Sequence, residues 1–113
     1  MHEMSLAESV LQIIEDTARA QKFTHVRTVV LEIGALSAVE PEAMMFCFDA
    51  VTRGSIAEGA QLEIVEIAGT GWCMQCGKNV TLSERYGLCP ECGDARVEIT
   101  GGNEMRVRDM EVE

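Results

Sequence analysis

The chain has 113 residues, of which 47% are hydrophobic and 25% charged, and its formal net charge is −10. That length admits one domain, or a small domain joined to a metal-stapled module, with apolar residues enough for a real core. With 9 Lys and Arg against 19 Asp and Glu, the surface repels phosphate backbones; nucleic acid is excluded as a partner, and cations or basic proteins are favoured.

Ser5-Leu6-Ala7-Glu8 has the form of a capping box. Leu6, Val10, Ile13, Ile14 and Thr17 follow at helical spacing and predict an amphipathic helix from residue 5 to about 21. His25 reads as a turn residue. Val26 to Ile33 is β-branched and alternating, with Val29, Leu31 and Ile33 on one face, and predicts a strand ending at Gly34. Glu40-Pro41-Glu42 opens a second helix, proline suiting the first helical position and acids the positive end. Met44, Cys47, Phe48 and Val51 share one face of it, Cys47 as a core thiol, and Gly54 stops it.

Leu62 to Ile67 predicts a second strand and Met105 to Val112 a third, whose apolar phase breaks between Val107 and Met110 as at a bulge or an edge. Strand, helix and strand from 26 to 67 read as a right-handed crossover between parallel neighbours. The expected fold class is α+β: a small three-stranded mixed sheet covered by two helices, with an inserted four-cysteine zinc-ribbon module. Gly69-Thr70-Gly71 and Gly101-Gly102-Asn103 bracket that module like hinges. The predicted domains are 1–68 with 103–113, discontinuous, and a ribbon at 69–102.

Inside the brackets lie Cys73-Met74-Gln75-Cys76 and Cys89-Pro90-Glu91-Cys92, two C-x2-C pairs with twelve residues between them. Each pair can clamp one edge of a tetrahedral zinc ion, and the intervening residues suffice for a hairpin. Gly77 and Gly93 each follow a second cysteine, where the knuckle turn needs backbone freedom. A redox dithiol or two disulfides would not account for both pairs sharing the knuckle pattern, and disulfides suit secreted chains. No signal-peptide pattern and no membrane-spanning stretch is read from the sequence, and the thiols point to a reducing cytoplasm.

A second metal site is read at the front of the chain. A terminal amine on Met1, the next amide nitrogen and the His2 imidazole can form adjoining chelate rings on one ion. Amide nitrogens bind only after losing their protons, which Ni(II) and Cu(II) promote, and the resulting planar nitrogen set suits those ions and not Zn(II).

Met1-His2-Glu3 opening a helix, Leu31-Glu32-Ile33-Gly34 closing a strand, Glu40-Pro41-Glu42, and Trp72-Cys73 entering a C-x2-C…C-P-x-C-G ribbon resemble the HypA/HybF family. These are nickel metallochaperones of [NiFe]-hydrogenase maturation. The resemblance implies a square-planar nickel site at His2 with the backbone of Met1 and Glu3, and a structural zinc on Cys73, Cys76, Cys89 and Cys92. It also implies an acidic residue, Glu40, near the nickel. Ni(II) is then the transported ion and Zn(II) the structural one. The implied partners are a GTPase of the maturation system and the hydrogenase large-subunit precursor, with no membrane involved and a homodimer left open.

The expected function is a carrier that delivers Ni(II) to the large subunit, not an enzyme. There is no serine–histidine–acid set, no phosphate loop, and no open coordination position among four cysteines. Two alternatives stand beside it. A zinc-ribbon interaction module without nickel transfer predicts that His2 is irrelevant to metals, and a single-iron electron carrier predicts a red protein.

Overall fold

The computed structural model describes residues 2–84 and 87–113. In chain order its elements are α1 (His2–Gln21), β1 (Val26–Gly34), α2 (Pro41–Thr52), β2 (Gln61–Ile67), β3 (Gly69–Cys73), β4 (Lys78–Leu82), β5 (Val97–Gly101) and β6 (Met105–Val112). One three-stranded sheet has the order β2-β1-β6 and another β4-β3-β5. The α+β class, the two helices and the three strands expected around them are all present.

Hydrogen bonds at the strand ends give the directions in the first sheet. The Ala35 amide, just past β1, donates to Ile67 at the end of β2, so these strands run parallel, as a crossover through α2 requires. Gly34 donates to Glu104 before β6, and Glu113 after it donates to His25 before β1; β6 is therefore antiparallel. Its edge position suits the broken apolar phase noted in its sequence.

The chain divides into two compact units: Met1–Leu31, Val39–Ile64 and Val107–Glu113 form one, and Glu32–Ala38 with Val65–Arg106 the other. In the first unit α1 packs against α2. The buried line on α1 is Ala7, Val10, Ile14 and Ala18, and on α2 it is Met44, Cys47, Phe48 and Thr52. Ile13, expected inside, is 47% exposed. The buried stripe is displaced toward the alanines, which a count of large apolar residues does not register. Thr52 is satisfied inside the helix by donating to the Phe48 carbonyl at 2.8 Å.

Helix α1 begins at His2 and not at Ser5. Ser5 therefore lies within the helix, where its carbonyl accepts from the Ser9 hydroxyl at 3.1 Å, and the expected capping box is not formed. Glu3 is the acid of the first turn instead, favoured there by the positive helix end.

The second unit is built on the antiparallel pairs β3–β4, with Gly69 opposite Leu82 and Cys73 opposite Lys78, and β3–β5, which bulges between Thr70 and Gly71. Its core is Leu36, Cys73, Val80, Leu82 and Cys89, with Cys76, Val97 and Ile99 packed around it. A Cβ on Gly69 would stand 2.6 Å from both the Leu36 side chain and the Leu82 carbonyl oxygen, so only glycine lets this core close. Among the described residues no helix is long and apolar enough to cross a membrane. Gly69→Ala is expected to cost about 1–3 kcal/mol through overpacking. Urea unfolding at fixed zinc content measures it, and an unchanged midpoint would refute the packing assignment.

Candidate metal centres

The hairpin β3–β4 ends in the first cysteine pair: Cys73 is the last residue of β3, and the turn after it returns at Lys78. Gly77 (φ 66) and Gly93 (φ 77) adopt the left-handed backbone that each knuckle needs, and their amides donate to the Cys73 and Cys89 carbonyls at 2.8 Å each. The sulfurs of Cys73, Cys76, Cys89 and Cys92 all lie within 4.8 Å of one another. Cys73 and Cys92 are 3.6 Å apart and Cys76 and Cys89 3.9 Å. A sulfur tetrahedron with metal bonds of about 2.3 Å has edges of about 3.8 Å, so the donor set fits zinc. These separations are far beyond a disulfide bond of about 2.05 Å, and all four thiols are free.

The cage is asymmetric. Cys73 and Cys89 are buried, Cys76 is half-buried and Cys92 is exposed, so solvent and chelators reach the sulfurs from the Cys92 side. The Cys76 thiol is pushed up to about 12, first by its hydrogen bond with Cys92 and then by burial. Cys89 is drawn down to about 7, chiefly by the Cys92 backbone N–H, with Glu91 adding a second amide. Crowded sulfurs without a cation must share protons; a dication takes the protons' place, and binding releases them.

Two side-chain clips cross between the knuckles. Arg96 donates through Nη2 to Gln75 Oε1 at 3.0 Å and to Asp94 Oδ2 at 2.9 Å, and through Nε to Asp94 Oδ1 at 3.1 Å. The Asp94 carbonyl accepts from Cys89 N–H at 2.9 Å, and the Arg96 carbonyl from Met74 N–H at 3.0 Å. This guanidinium holds the Asp94 carboxyl down at about 2. Lys78 Nζ meets Glu91 Oε1 at 2.7 Å. Both cations bring positive charge to a cage that carries about two negative charges when four thiolates hold one dication.

The other predicted site lies in the first unit. His2 is exposed at the start of α1; Met1, whose terminal amine belongs to the expected nickel set, lies outside the described residues. Glu3 Oε2 accepts the Glu40 backbone N–H at 3.2 Å. That N–H, followed by Glu3's own, lowers the Glu3 carboxyl below its usual range, and the charge of His2 acts in the same direction. Glu40 precedes Pro41 as the cap residue of α2, and no side-chain cap bond of its own is formed there. Glu3 brings a carboxylate to that positive helix end from the other helix. The Glu40 side chain itself is exposed.

A family model described as hydrogenase/urease nickel incorporation metallochaperone, HypA, matches residues 1–112. The chain belongs to the HypA family. It is 62% identical over 113 residues to a hydrogenase maturation factor HypA of Dechloromonas aromatica, covering 100% of both chains. To the HypA of Azotobacter vinelandii it is 55% identical, again over 100% of each. A solution structure of the nickel metallochaperone HypA from Helicobacter pylori matches with a TM-score of 0.72 at 28% identity, over 97% of this chain and 96% of that one. With HypA membership goes the role of a nickel metallochaperone in hydrogenase maturation.

Within this HypA chain the four cysteines read from spacing converge on one point, and the N-terminal triplet meets the start of α2 through Glu3 and Glu40. Arg96, Asp94, Gln75 and Lys78 were not legible as supporting residues; the Cys92-Gly93-Asp94-Ala95-Arg96 run, an acid and a base two apart beside a knuckle, was the available signal. Arg96→Ala is expected to weaken zinc binding about 10–100-fold, the usual effect of losing an outer-shell partner, with one zinc per chain still bound at saturation. Chelator competition reads this. Lys78→Ala, which loses only an exposed pair, should change it far less.

Proposed function

We propose that this HypA chain binds Ni(II) at its N-terminus and delivers it to the [NiFe]-hydrogenase large subunit, with Zn(II) held structurally by Cys73, Cys76, Cys89 and Cys92. The reading is carried by the Glu3–Glu40 contact. It joins the front of the chain to the acidic position at the head of α2 while His2 stays exposed. A cargo ion there meets nitrogen from His2, the backbone around Met1 to Glu3, and the Glu40 carboxylate within the same neighbourhood of sequence and contact.

Helix chemistry supports the backbone part of that set. First-turn amides have no intrahelical acceptor, so the His2 and Glu3 nitrogens can lose their protons without breaking a helical bond. The positive end of α1 would resist a bare dication. Two deprotonated amides cancel the dication's charge, so the loaded turn is no more positive than the empty one. Loading therefore falls as acid returns those protons. The Glu3 carboxyl, with its pKa below the ordinary value, gives a contact that is complete above that ordinary value and is lost only as pH drops through the lowered one. At neutral pH Glu3 therefore stays tied to the head of α2.

Exposure at a chain terminus lets an acceptor replace ligands one at a time. Copper binds such a set at least as well as nickel, so selectivity falls to the partners and to metal supply. Those partners are a GTPase of the maturation system and the large-subunit precursor, in the cytoplasm, and the chain itself catalyses no covalent step. Nickel titration of the untagged chain, of His2→Ala and of an N-terminally extended version tests this, with zinc measured throughout. Tight nickel binding is expected in the first alone, at equal zinc; firm loading of the extended version would falsify the terminal site.

A further inference from the structure

Helix α2 presents large apolar side chains on two opposite faces. Met44, Cys47 and Phe48 fill the inner one and are buried. Met45 and Phe46, next to them in sequence, are 48% and 74% exposed. Scattered apolar residues on a surface are ordinary, but these two are adjacent and sit in a stripe. Glu42, Met45, Phe46 and Asp49 stand at i, i+3, i+4 and i+7, so one carboxylate precedes the apolar pair along the helix and one follows it. Glu42 and Asp49 are exposed. Asp49 also lies 3.4 Å from Arg53, an exposed pair that an incoming cation can displace at little cost.

We propose that this outer stripe of α2 is the docking surface for the protein that accepts the nickel, and that it takes an apolar socket rimmed by Lys or Arg. The proposal rests on the carrier reading above. Charge selects the occupant. A second copy of this chain would pair the stripe with itself about a twofold axis, setting Glu42 and Asp49 against the same acids on a chain of net charge −10. An anionic membrane is repelled by the same rim. A basic-rimmed protein gains from both the apolar centre and the acidic edge, in the usual arrangement of a buried aromatic anchor within a polar border.

Position adds the functional sense. Phe46 lies six residues beyond Glu40, whose amide Glu3 holds, which is about 9 Å along the axis at 1.5 Å per residue. The stripe therefore starts less than two helical turns along α2 from the residue that Glu3 holds.

The test uses zinc-loaded full-length chain and, as probe, the purified hydrogenase large-subunit precursor, with affinity and association rate measured at low and at about 0.5 M salt. Met45→Ser with Phe46→Ser should weaken binding at least about tenfold, as loss of a central aromatic anchor does. Glu42→Lys with Asp49→Lys should slow association and remove most of its salt dependence. Both variants should keep parental zinc content and nickel titration. The proposal is overturned if the parent does not bind the precursor, if the serine variant binds within about twofold of the parent, or if that variant changes the oligomeric state of the chain alone. His2→Ala separates the two readings. It should dock like the parent without loading nickel, and nickel loading by it would sink the terminal site while leaving the docking measurement to stand or fall by itself.

Discussion

Four sulfurs meeting at one point govern the second unit of this chain. Cys73 and Cys89 belong at once to the metal cage and to the apolar core with Leu36, Val80 and Leu82. A core this small gives little hydrophobic stabilisation for the entropy of ordering its strands. The metal-free cage adds a further difficulty, since its sulfurs crowd together and hold Cys76 far from ionisation. A bound dication removes the crowding and contributes folding free energy of about 10–16 kcal/mol in comparable peptides. On the proposed zinc reading, folding of the ribbon and occupation of the cage are therefore one event. Arg96 and Lys78 then act on an already favourable arrangement, tying one knuckle to the other and balancing its negative charge.

The two metal sites of the proposed carrier divide by donor and by exposure. Thiolates in a partly buried tetrahedron suit a resident zinc, which has no geometric preference to frustrate and exchanges slowly when two of its ligands are core residues. Planar nitrogen at an exposed terminus suits a passenger nickel, held by groups that protons can reclaim. Neither donor set serves the other ion's purpose well. A chain can therefore keep one metal and pass on the other without a gate between them.

Spacing in the sequence carried the parts of this molecule that depend on local chemistry. The knuckle glycines have the left-handed backbone that the cysteine pairs require, and Gly34, Pro41 and Val112 mark element ends where turn, cap and strand rules place them. What stayed illegible depends on approach in space. Ile13 counts as apolar in any periodicity, yet it is 47% exposed while the short Ala7 and Ala18 are buried. The Ser5–Glu8 box is a good local signal that lost to a start at His2. The Glu3–Glu40 bond joins residues 37 apart, and the Arg96 clip reaches Gln75 across 21. No local pattern encodes either; family resemblance implied only an acidic Glu40 near the nickel.

Helix α2 concentrates these constraints in twelve residues. Pro41 gives its first turn a suitable φ but no amide, and the Glu40 amide just before it needs an acceptor that α2 itself does not offer. Glu3 supplies that acceptor from α1, so the end of the chain proposed to hold nickel also completes the second helix. The inner face of α2 is committed to the core through Met44, Cys47 and Phe48, which fixes its rotation. Once that rotation is set, Met45 and Phe46 have no option but to face outward, and the acids at Glu42 and Asp49 keep so apolar a surface soluble. Moving the stripe inward would require turning the helix, which would expose Phe48 and withdraw the Glu40 amide from Glu3. The outward apolar pair and the anchored N-terminus are therefore consequences of one helical setting.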